Sequence, residues 1–573
     1  MMRGIAVSPG IAIGRVFLKT EQNLDFAEKT VTSAEKELAR LAVALKQAES
    51  ELKELIVNIG QKLGHEEAEI FESHLMLIDD PELIEPIKEK IKDEKINAEA
   101  AIAQTINFFS QMFAELDDEY IKAREADIKD VGKRLIRILS GQGKSTTELE
   151  ENTVVVAIDL SPSDTAQLDT AKVLGFVTQE GSRTSHTAIM ARSLGIPAVV
   201  GVGKELSVSI KQGRLVSGQT IIVDGNGGQV FINPDFETEH EYQQKREKYQ
   251  QEQERLKKYK NKEALSKDGK KVEVCGNIGN IRDIESILEH GGQGIGLFRT
   301  EFLYMDRDTL PSEKEQFKVY RQVAEKMDGK PVVIRTLDIG GDKELPCLDL
   351  PKEMNPFLGY RAIRICLDQP DIFKTQLKAI LAASNYGNIK IMYPMVSSVD
   401  EVKSANRILW ECKKELAKEG KGYSQDLEVG IMVEVPAAVM EADIIAQEVD
   451  FFSIGTNDLI QYTIAVDRVN EKVAQMYTPY HPAVLKLIKK TIDSAHQAGI
   501  WVGMCGEAAA DELLLPFLLG VGLDEFSMGA VSILRIKELL SKWTVEEAAE
   551  VSKRVLKLHS PDGIEDYLLK VAR

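Results

Sequence analysis

Two groups of residues in this 573-residue chain have side chains suited to handling phosphate. The first surrounds His186, in the run Gly181-Ser182-Arg183-Thr184-Ser185-His186-Thr187-Ala188-Ile189-Met190-Ala191-Arg192. A glycine turn gives way to hydroxyl residues, and Thr184 or Ser185 is suited to cap a helix from His186 to Leu194, closed by Gly195 and Pro197. An imidazole in the first turn feels the positive end of the helix dipole, which favours the neutral, nucleophilic ring. A phosphoryl group on that ring would sit where free N–H groups point, with Arg183 adding positive charge. This setting separates His186 from the other histidines. His65 and His74 fall in a helical block, His290 and His496 on helix surfaces, and His481 in a Pro-flanked turn.

The second group follows a series of short apolar runs. Leu297-Phe298 leads into Arg299-Thr300-Glu301, and Ile334 into Arg335-Thr336-Leu337-Asp338-Ile339-Gly340-Gly341-Asp342-Lys343. Met432-Val433 leads into Glu434, Gly455-Thr456 into Asn457-Asp458 with Arg468 beyond, and Met504 into Cys505-Gly506-Glu507. Arginine forks bind phosphate and carboxylate bidentately. A pair of carboxylates on neighbouring strands holds Mg²⁺, which shares its shell with water and substrate. A thiol beside them is placed to shuttle a proton. Singly, each residue is an ordinary ion pair or core filler; the chemistry requires a fold that gathers the ends of these runs.

Such a fold is written in the alternation from Val272 onward. Eight strand patterns occur: Val272–Asn277, Gly294–Arg299, Pro331–Asp338, Lys390–Pro394, Val429–Val435, Phe451–Gly455, Trp501–Gly506 and Asp524–Met528. Eight strand–helix units in about 300 residues fit a TIM (β/α)8 barrel, whose strand C-termini share one mouth. Upstream, Gly4–Phe17 reads as strands and turns, and helical spacing then runs from Leu38 through Leu139, with Thr32 and Glu35 fitting a capping box. Strands return at Val154–Ile158, Val173–Val177, Ala198–Val200, Ile221–Asp224 and Gln229–Ile232, with His186–Leu194 the single helix among them. The expected fold class is therefore multidomain α/β. A small α/β domain carrying His186 spans 1–20 plus 148–232, and a helical bundle, 24–143, is inserted into it. A charged linker helix, 233–261, with Tyr242, Tyr249, Leu256 and Tyr259 on a narrow stripe, precedes a barrel domain, 262–573.

Composition sets outer limits. A net charge of −19 argues against non-specific nucleic-acid binding and requires local arginines or a metal to hold an anionic substrate. The five cysteines are scattered with no C-x-x-C pair, as expected of reduced thiols rather than disulfides or a zinc motif. No signal-like leader or spanning stretch occurs, and the expectation is a cytoplasmic protein.

In this order, the His186 segment, Arg299, Arg335, Gly340-Gly341-Asp342-Lys343, Glu434, Asn457-Asp458, Arg468 and Met504-Cys505-Gly506-Glu507 resemble Enzyme I, the phosphoenolpyruvate–protein phosphotransferase of the bacterial sugar phosphotransferase system. The resemblance covers essentially the whole chain, including the helical insertion. It implies that phosphoenolpyruvate binds with Mg²⁺ held by Glu434 and Asp458, and that Arg299, Arg335, Asn457, Asp458 and Arg468 contact the substrate. It further implies that His186 attacks phosphorus through Nε2, that Cys505 protonates the departing enolpyruvate, and that the phosphoryl group passes to a small histidine-containing phosphocarrier protein, the first step of sugar uptake by that system. The carrier would dock on the helical domain, where Glu66 and Glu67 flank Phe71, Leu75 and Met76 in an acidic, apolar-centred patch. A homodimer through the barrel is also implied. A pyruvate phosphate dikinase or phosphoenolpyruvate synthase would need an ATP-binding domain, for which the chain before His186 has no P-loop and no room. An inactive regulatory relative would be expected to lack His186, Glu434, Asp458 or Cys505, and all four are present.

Overall fold

The computed structural model describes residues 1–19, 28–62, 65–114, 119–141, 149–166, 168–182, 185–305, 307, 309–340, 348, 350, 353–468, 470 and 472–571. It forms two compact units, Met1–Glu252 and Gln253–Arg573. No described helix is long and apolar enough to cross a membrane.

The first unit is organised by one eight-stranded sheet. Its strands are β1 (Met2–Arg3), β2 (Ile5–Ser8), β3 (Ile11–Lys19), β4 (Thr153–Ala157), β5 (Val173–Thr178), β6 (Ala198–Val200), β7 (Thr220–Asp224) and β8 (Gln229–Ile232), in the order β1-β8-β7-β3-β4-β5-β6-β2. β4, Thr-Val-Val-Val-Ala, is buried at every position, as expected of a central strand covered on both faces. Each of its valines contributes roughly 1.5–3 kcal/mol by burial. β3 and β4 pair in parallel, Arg15 opposite Thr153 and Lys19 opposite Ala157, so the chain between them is a crossover. Among the described residues the crossover is a bundle of five helices: α1 (Ala34–Lys62), α2 (His65–Asp79), α3 (Pro81–Asp93), α4 (Ala98–Ala114) and α5 (Glu119–Leu139). Leu41, Ala48, Leu52, Ile87, Ile91, Ile102, Ile106, Val131 and Leu135 fill its core.

Local details depart from the sequence expectations. The hydroxyl at the start of α1 is Ser33, whose Oγ accepts from Lys36 N at 3.4 Å, rather than Thr32, so a one-sided cap stands where the Thr32/Glu35 capping box was expected. His186–Leu194 is not the single helix of the α/β part. Pro162–Ala166 and Glu205–Lys211 are helical too, each too short to display a helical period. The charged helix runs from Phe236 to Lys257. Its stripe is not wholly solvated: Tyr242 is buried against Phe231 and donates to Gln229 Oε1 at 2.8 Å.

The second unit is a closed barrel of eight parallel strands: β9 (Glu273–Ile278), β10 (Ile295–Phe298), β11 (Val332–Arg335), β12 (Ile389–Tyr393), β13 (Val429–Val433), β14 (Phe451–Ile454), β15 (Trp501–Met504) and β16 (Glu525–Met528). β16 returns to β9 in register, Glu525 opposite Glu273. Outward side chains such as Val274, Phe298, Ile334 and Phe526 pack under the surrounding helices. Leu297, Val333, Met392, Met432, Phe451 and Cys505 form a separate cluster.

Candidate active site

Among the described residues, every charged residue singled out after a barrel strand lies at that strand's C-terminal end or in the loop or helix that follows it, the expected side for barrel chemistry. Arg335 closes β11. Its guanidinium pairs with Glu301 and, at 2.7 Å, with Asp338, and Met432 Sδ lies 3.7 Å away. Burial alone would lower its pKa, but Asp338, Glu301 and Glu434 outweigh that and hold it raised and charged. Glu434 follows β13 and accepts from Met395 N at 2.6 Å. Met395 has φ +58, a left-handed conformation uncommon outside glycine, held at the point where its amide meets this carboxylate. Asp458, in the helix after β14, lies 3.7 Å from Arg468 Nη1. Glu434 is pushed up to about 8 by burial and by the nearby Asp458 and Asp338, against the pull of Arg335 and Arg361. A buried carboxyl group beside a second carboxylate is a donor set that a divalent cation relieves, so Glu434 and Asp458 fit a bound Mg²⁺.

Sequence reasoning missed Arg361. Its Nη2 lies 2.9 Å from Asp338 Oδ1 and 3.6 Å from Asp458 Oδ2, and its Nη1 donates to Tyr462 OH at 3.2 Å. Its neighbour Ala362 takes φ 53 and ψ −124, rarely adopted by an L-residue, and a Cβ on Gly340 would stand 2.6 Å from Arg361 Cβ. The only sequence signal was an arginine in a Gly/Pro/Asn-containing loop between β11 and β12. The Nε atoms of Arg335 and Arg361 are buried with no partner among the described residues, two donors suited to an anion.

A cavity of about 580 Å³ opens beside these groups, lined in part by Asn277, Arg299, Asn457, Cys505, Gly506 and Glu507. Arg299 is exposed in its wall and forms no ion pair among the described residues. Asn457 Oδ1 accepts from Glu507 N at 3.1 Å, tying the ends of β14 and β15 together. Those ends meet closely: a Cβ on Gly506 would lie 1.7 Å from Thr456 Oγ1, so only glycine fits. Cys505 is buried and its thiol is pushed up to about 11 by burial, with Arg335 and Arg299 pulling the other way. It is therefore a neutral thiol at physiological pH. Gly341, Asp342 and Lys343 lie outside the described residues.

In the first unit, the helix His186–Leu194 begins and ends as the sequence indicates, with Gly195 at φ +63 closing it. Ser185 holds the N-cap position, but among the described residues its side chain makes no capping hydrogen bond and its buried Oγ has no partner, so of the two expected caps Ser185 is not one. Arg183, Thr184 and the side chain of His186 lie outside the described residues. So do the side chains of Glu66 and Glu67 in the expected docking patch. Of the patch's apolar members, Met76 is 68% exposed and Leu75 half-buried. Phe71 corrects the expectation: at 2% exposed it belongs to the bundle core, edge-on to His74 at 5.8 Å. His74 is itself buried, 3.2 Å from Asp127, as a structural histidine would be.

Comparison with known proteins gives matches along the chain. Family models of PEP-utilising enzymes match at residues 3–124 (N-terminal domain), 149–228 (mobile domain) and 253–545 (PEP-binding domain). The chain is 51% identical over 568 residues to the phosphoenolpyruvate-protein phosphotransferase of Geobacillus stearothermophilus, covering 99% of this chain and 97% of that one. It is 50% identical over 564 residues to the protein of the same name from Bacillus subtilis (strain 168), covering 98% of each. An NMR solution structure of Enzyme I is 43% identical, covering 44% of this chain and all of that one, with a TM-score of 0.37.

Proposed function

Since the chain belongs to the phosphoenolpyruvate–protein phosphotransferases, enzymes that use phosphoenolpyruvate, we propose how its own residues divide the work. The observation that carries the reading is the gathering of Arg335, Arg361, Glu434, Asp458 and Cys505 at the C-terminal ends of barrel strands and in the adjoining loops.

The substrate's phosphate and carboxylate are bound by Arg299, Arg335, Arg361 and Arg468, with Asn457 and Asp458 completing the contacts. Glu434 and Asp458 would hold Mg²⁺, which when bound neutralises negative charge on the substrate's oxygens. His186 presents its neutral imidazole, and Nε2 attacks the phosphorus in line. The N–P bond forms as the bond from phosphorus to the enol oxygen breaks. The Cys505 thiol then gives its proton to the methylene carbon of enolpyruvate, yielding pyruvate, and the thiolate is reprotonated from water. Such transfer needs positioning and charge neutralisation more than covalent catalysis, and arginines already held in ion pairs need little rearrangement.

Phosphohistidine then passes its phosphoryl group to the histidine of a small phosphocarrier protein. The carrier docks on the inserted bundle, domain 24–143, at the surface carrying Glu66, Glu67, Leu75 and Met76. The α/β domain, 1–20 plus 148–232, moves His186 between carrier and barrel mouth on the linker 233–261, and the barrel domain, 262–573, forms a homodimer. Incubation with labelled donor tests the reading. Label from phosphoenolpyruvate with Mg²⁺ should appear on the chain in acid-labile, base-stable form and leave when carrier is added. Label from ATP instead would point to a dikinase.

A further inference from the structure

At the end of the barrel opposite the mouth, three side chains converge for which the proposed reaction has no use. Residues two apart on a strand share a face. On β9, Val274 and Ile278 pack outward under the helices, while Asn277 lines the mouth cavity, so Glu273 and Cys275 point inward with Asn277. On β16, Phe526 and Met528 pack outward, which turns Glu525 inward beside Glu273, its register partner. A carboxylate oxygen of Glu273, the sulfur of Cys275 and a carboxylate oxygen of Glu525 all lie within 4.8 Å of one another.

The site is built to hold these groups. Glycines on the adjoining strands leave them room: a Cβ on Gly296 would lie 2.0 Å from Glu525 Oε1, and one on Gly294 would lie 3.1 Å from Cys275 Sγ. Glu525 is only 3% exposed, yet its carboxylate makes no hydrogen bond and no ion pair among the described residues. Lys390, the cation whose charge reaches it, is already engaged, 2.7 Å from Glu428 and above the Trp501 ring. Burial pushes the carboxyl of Glu525 up to about 8 and the Cys275 thiol well above its usual range. A buried acid without a donor is costly unless it is neutral or bound to a cation.

We propose that Glu273, Cys275 and Glu525 form a binding site for one thiophilic divalent cation of the zinc type, which clasps the first barrel strand to the last. A thiolate with two carboxylates suits Zn²⁺ and not Mg²⁺ or Ca²⁺, which take oxygen ligands. Bonds of about 2.0–2.3 Å bring such donors to roughly 3–4 Å from each other. The three donors lie within 4.8 Å of one another, so side-chain rotation, least hindered at the exposed Glu273, brings them to that spacing. Binding releases the thiol and carboxylic protons to solvent, and water takes the open position. β9 and β16 are the strands whose pairing closes the barrel, so the ion stabilises closure.

The test uses metal-stripped full-length protein titrated with Co²⁺ and then Zn²⁺. The site predicts a thiolate-to-cobalt charge-transfer band saturating at one equivalent, displaced by Zn²⁺, absent in Cys275→Ser and kept in Cys505→Ser. Zn²⁺ should raise the unfolding temperature of the wild type and not of Glu525→Gln. Should Cys275→Ser fail to fold, Glu273→Gln, at the exposed rim, must weaken Zn²⁺ by at least the roughly 10- to 100-fold typical of supporting residues in metal sites. No band in the wild type, a band that survives in Cys275→Ser or vanishes in Cys505→Ser, or a Glu273→Gln affinity equal to wild type would overturn the site.

Discussion

Burial pushes the Cys505 thiol up to about 11, so it keeps its proton through the physiological range, the form that the proposed proton donor to enolpyruvate requires. Burial, outweighing the pull of Arg335 and Arg299, thus keeps Cys505 a protonated thiol rather than a nucleophilic thiolate. Cys505→Ala should leave phosphoenolpyruvate binding intact and lower turnover by about 10²–10⁴-fold, read as the rate of pyruvate formation. Unchanged turnover would remove the thiol from the mechanism. Arg361 faces the acids with a fork that lysine cannot copy. Charge-assisted hydrogen bonds are worth about 1.5–3 kcal/mol, so Arg361→Lys should reduce kcat/KM for phosphoenolpyruvate by roughly 10- to 100-fold. An unaltered kcat/KM would place Arg361 outside the substrate site. Most of the mouth was legible because its residues directly follow apolar runs that end at a known side of the fold. Arg361 was not, because its place depends on a strained backbone at Ala362 and on packing against Gly340, neither of which has a period.

Elements hold these residues in place through devices that can be tested separately. Gln376 is buried in the helix Pro370–Ala383; it donates to Thr300 Oγ1 at 3.1 Å and accepts from Leu337 N at 2.8 Å. It thereby ties the end of β10, which carries Arg299 and Glu301, to the end of β11, which carries Arg335 and Asp338. While Thr300 Oγ1 keeps its bond to Arg335 O, Gln376→Leu leaves the buried Leu337 N–H unsatisfied, at about 1–3 kcal/mol. It should lower the barrel's unfolding free energy and raise KM for phosphoenolpyruvate together; a stability loss with KM unmoved would make it a fold residue only. The helix Glu313–Lys326 opens with a capping box in which Ser312 Oγ accepts from Glu315 N. Glu315 is lowered from 4.5 to about 2 by the Ser312 hydroxyl, Arg307 and the Ser312 amide. Its folded value lies below its unfolded one, so its stabilisation is present above pH 4.5 and is lost as pH falls toward 2. Glu315→Gln should be less stable than wild type near neutrality, with the gap closing across that window in denaturant melts; a gap independent of pH would contradict the linkage. Strands and long helices were readable from periodicity, whereas the side of α2 on which Phe71 falls was not. In α2 apolar and acidic residues alternate too closely for the sequence to separate core from surface.

At the scale of the whole molecule, β3 and β4 are register neighbours although the bundle separates them in sequence, so the bundle is an addition to a sheet complete without it. In the proposed function the two parts have separate tasks: self-phosphorylation belongs to the sheet and the barrel, and carrier recognition to the bundle. Replacing residues 24–143 with a short linker should therefore leave labelling by phosphoenolpyruvate and abolish transfer to the carrier, provided circular dichroism shows the sheet intact. Undiminished transfer would contradict that division. The claim beneath all of this is that His186 bears the phosphoryl group. Mapping the label by mass spectrometry under conditions that preserve phosphohistidine, in wild type and His186→Ala, tests it most directly. Up to one phosphoryl group per chain, located on His186, and none in the variant is the expected result; equal labelling of His186→Ala, or label on a different residue, would show that the phosphoryl group is carried elsewhere.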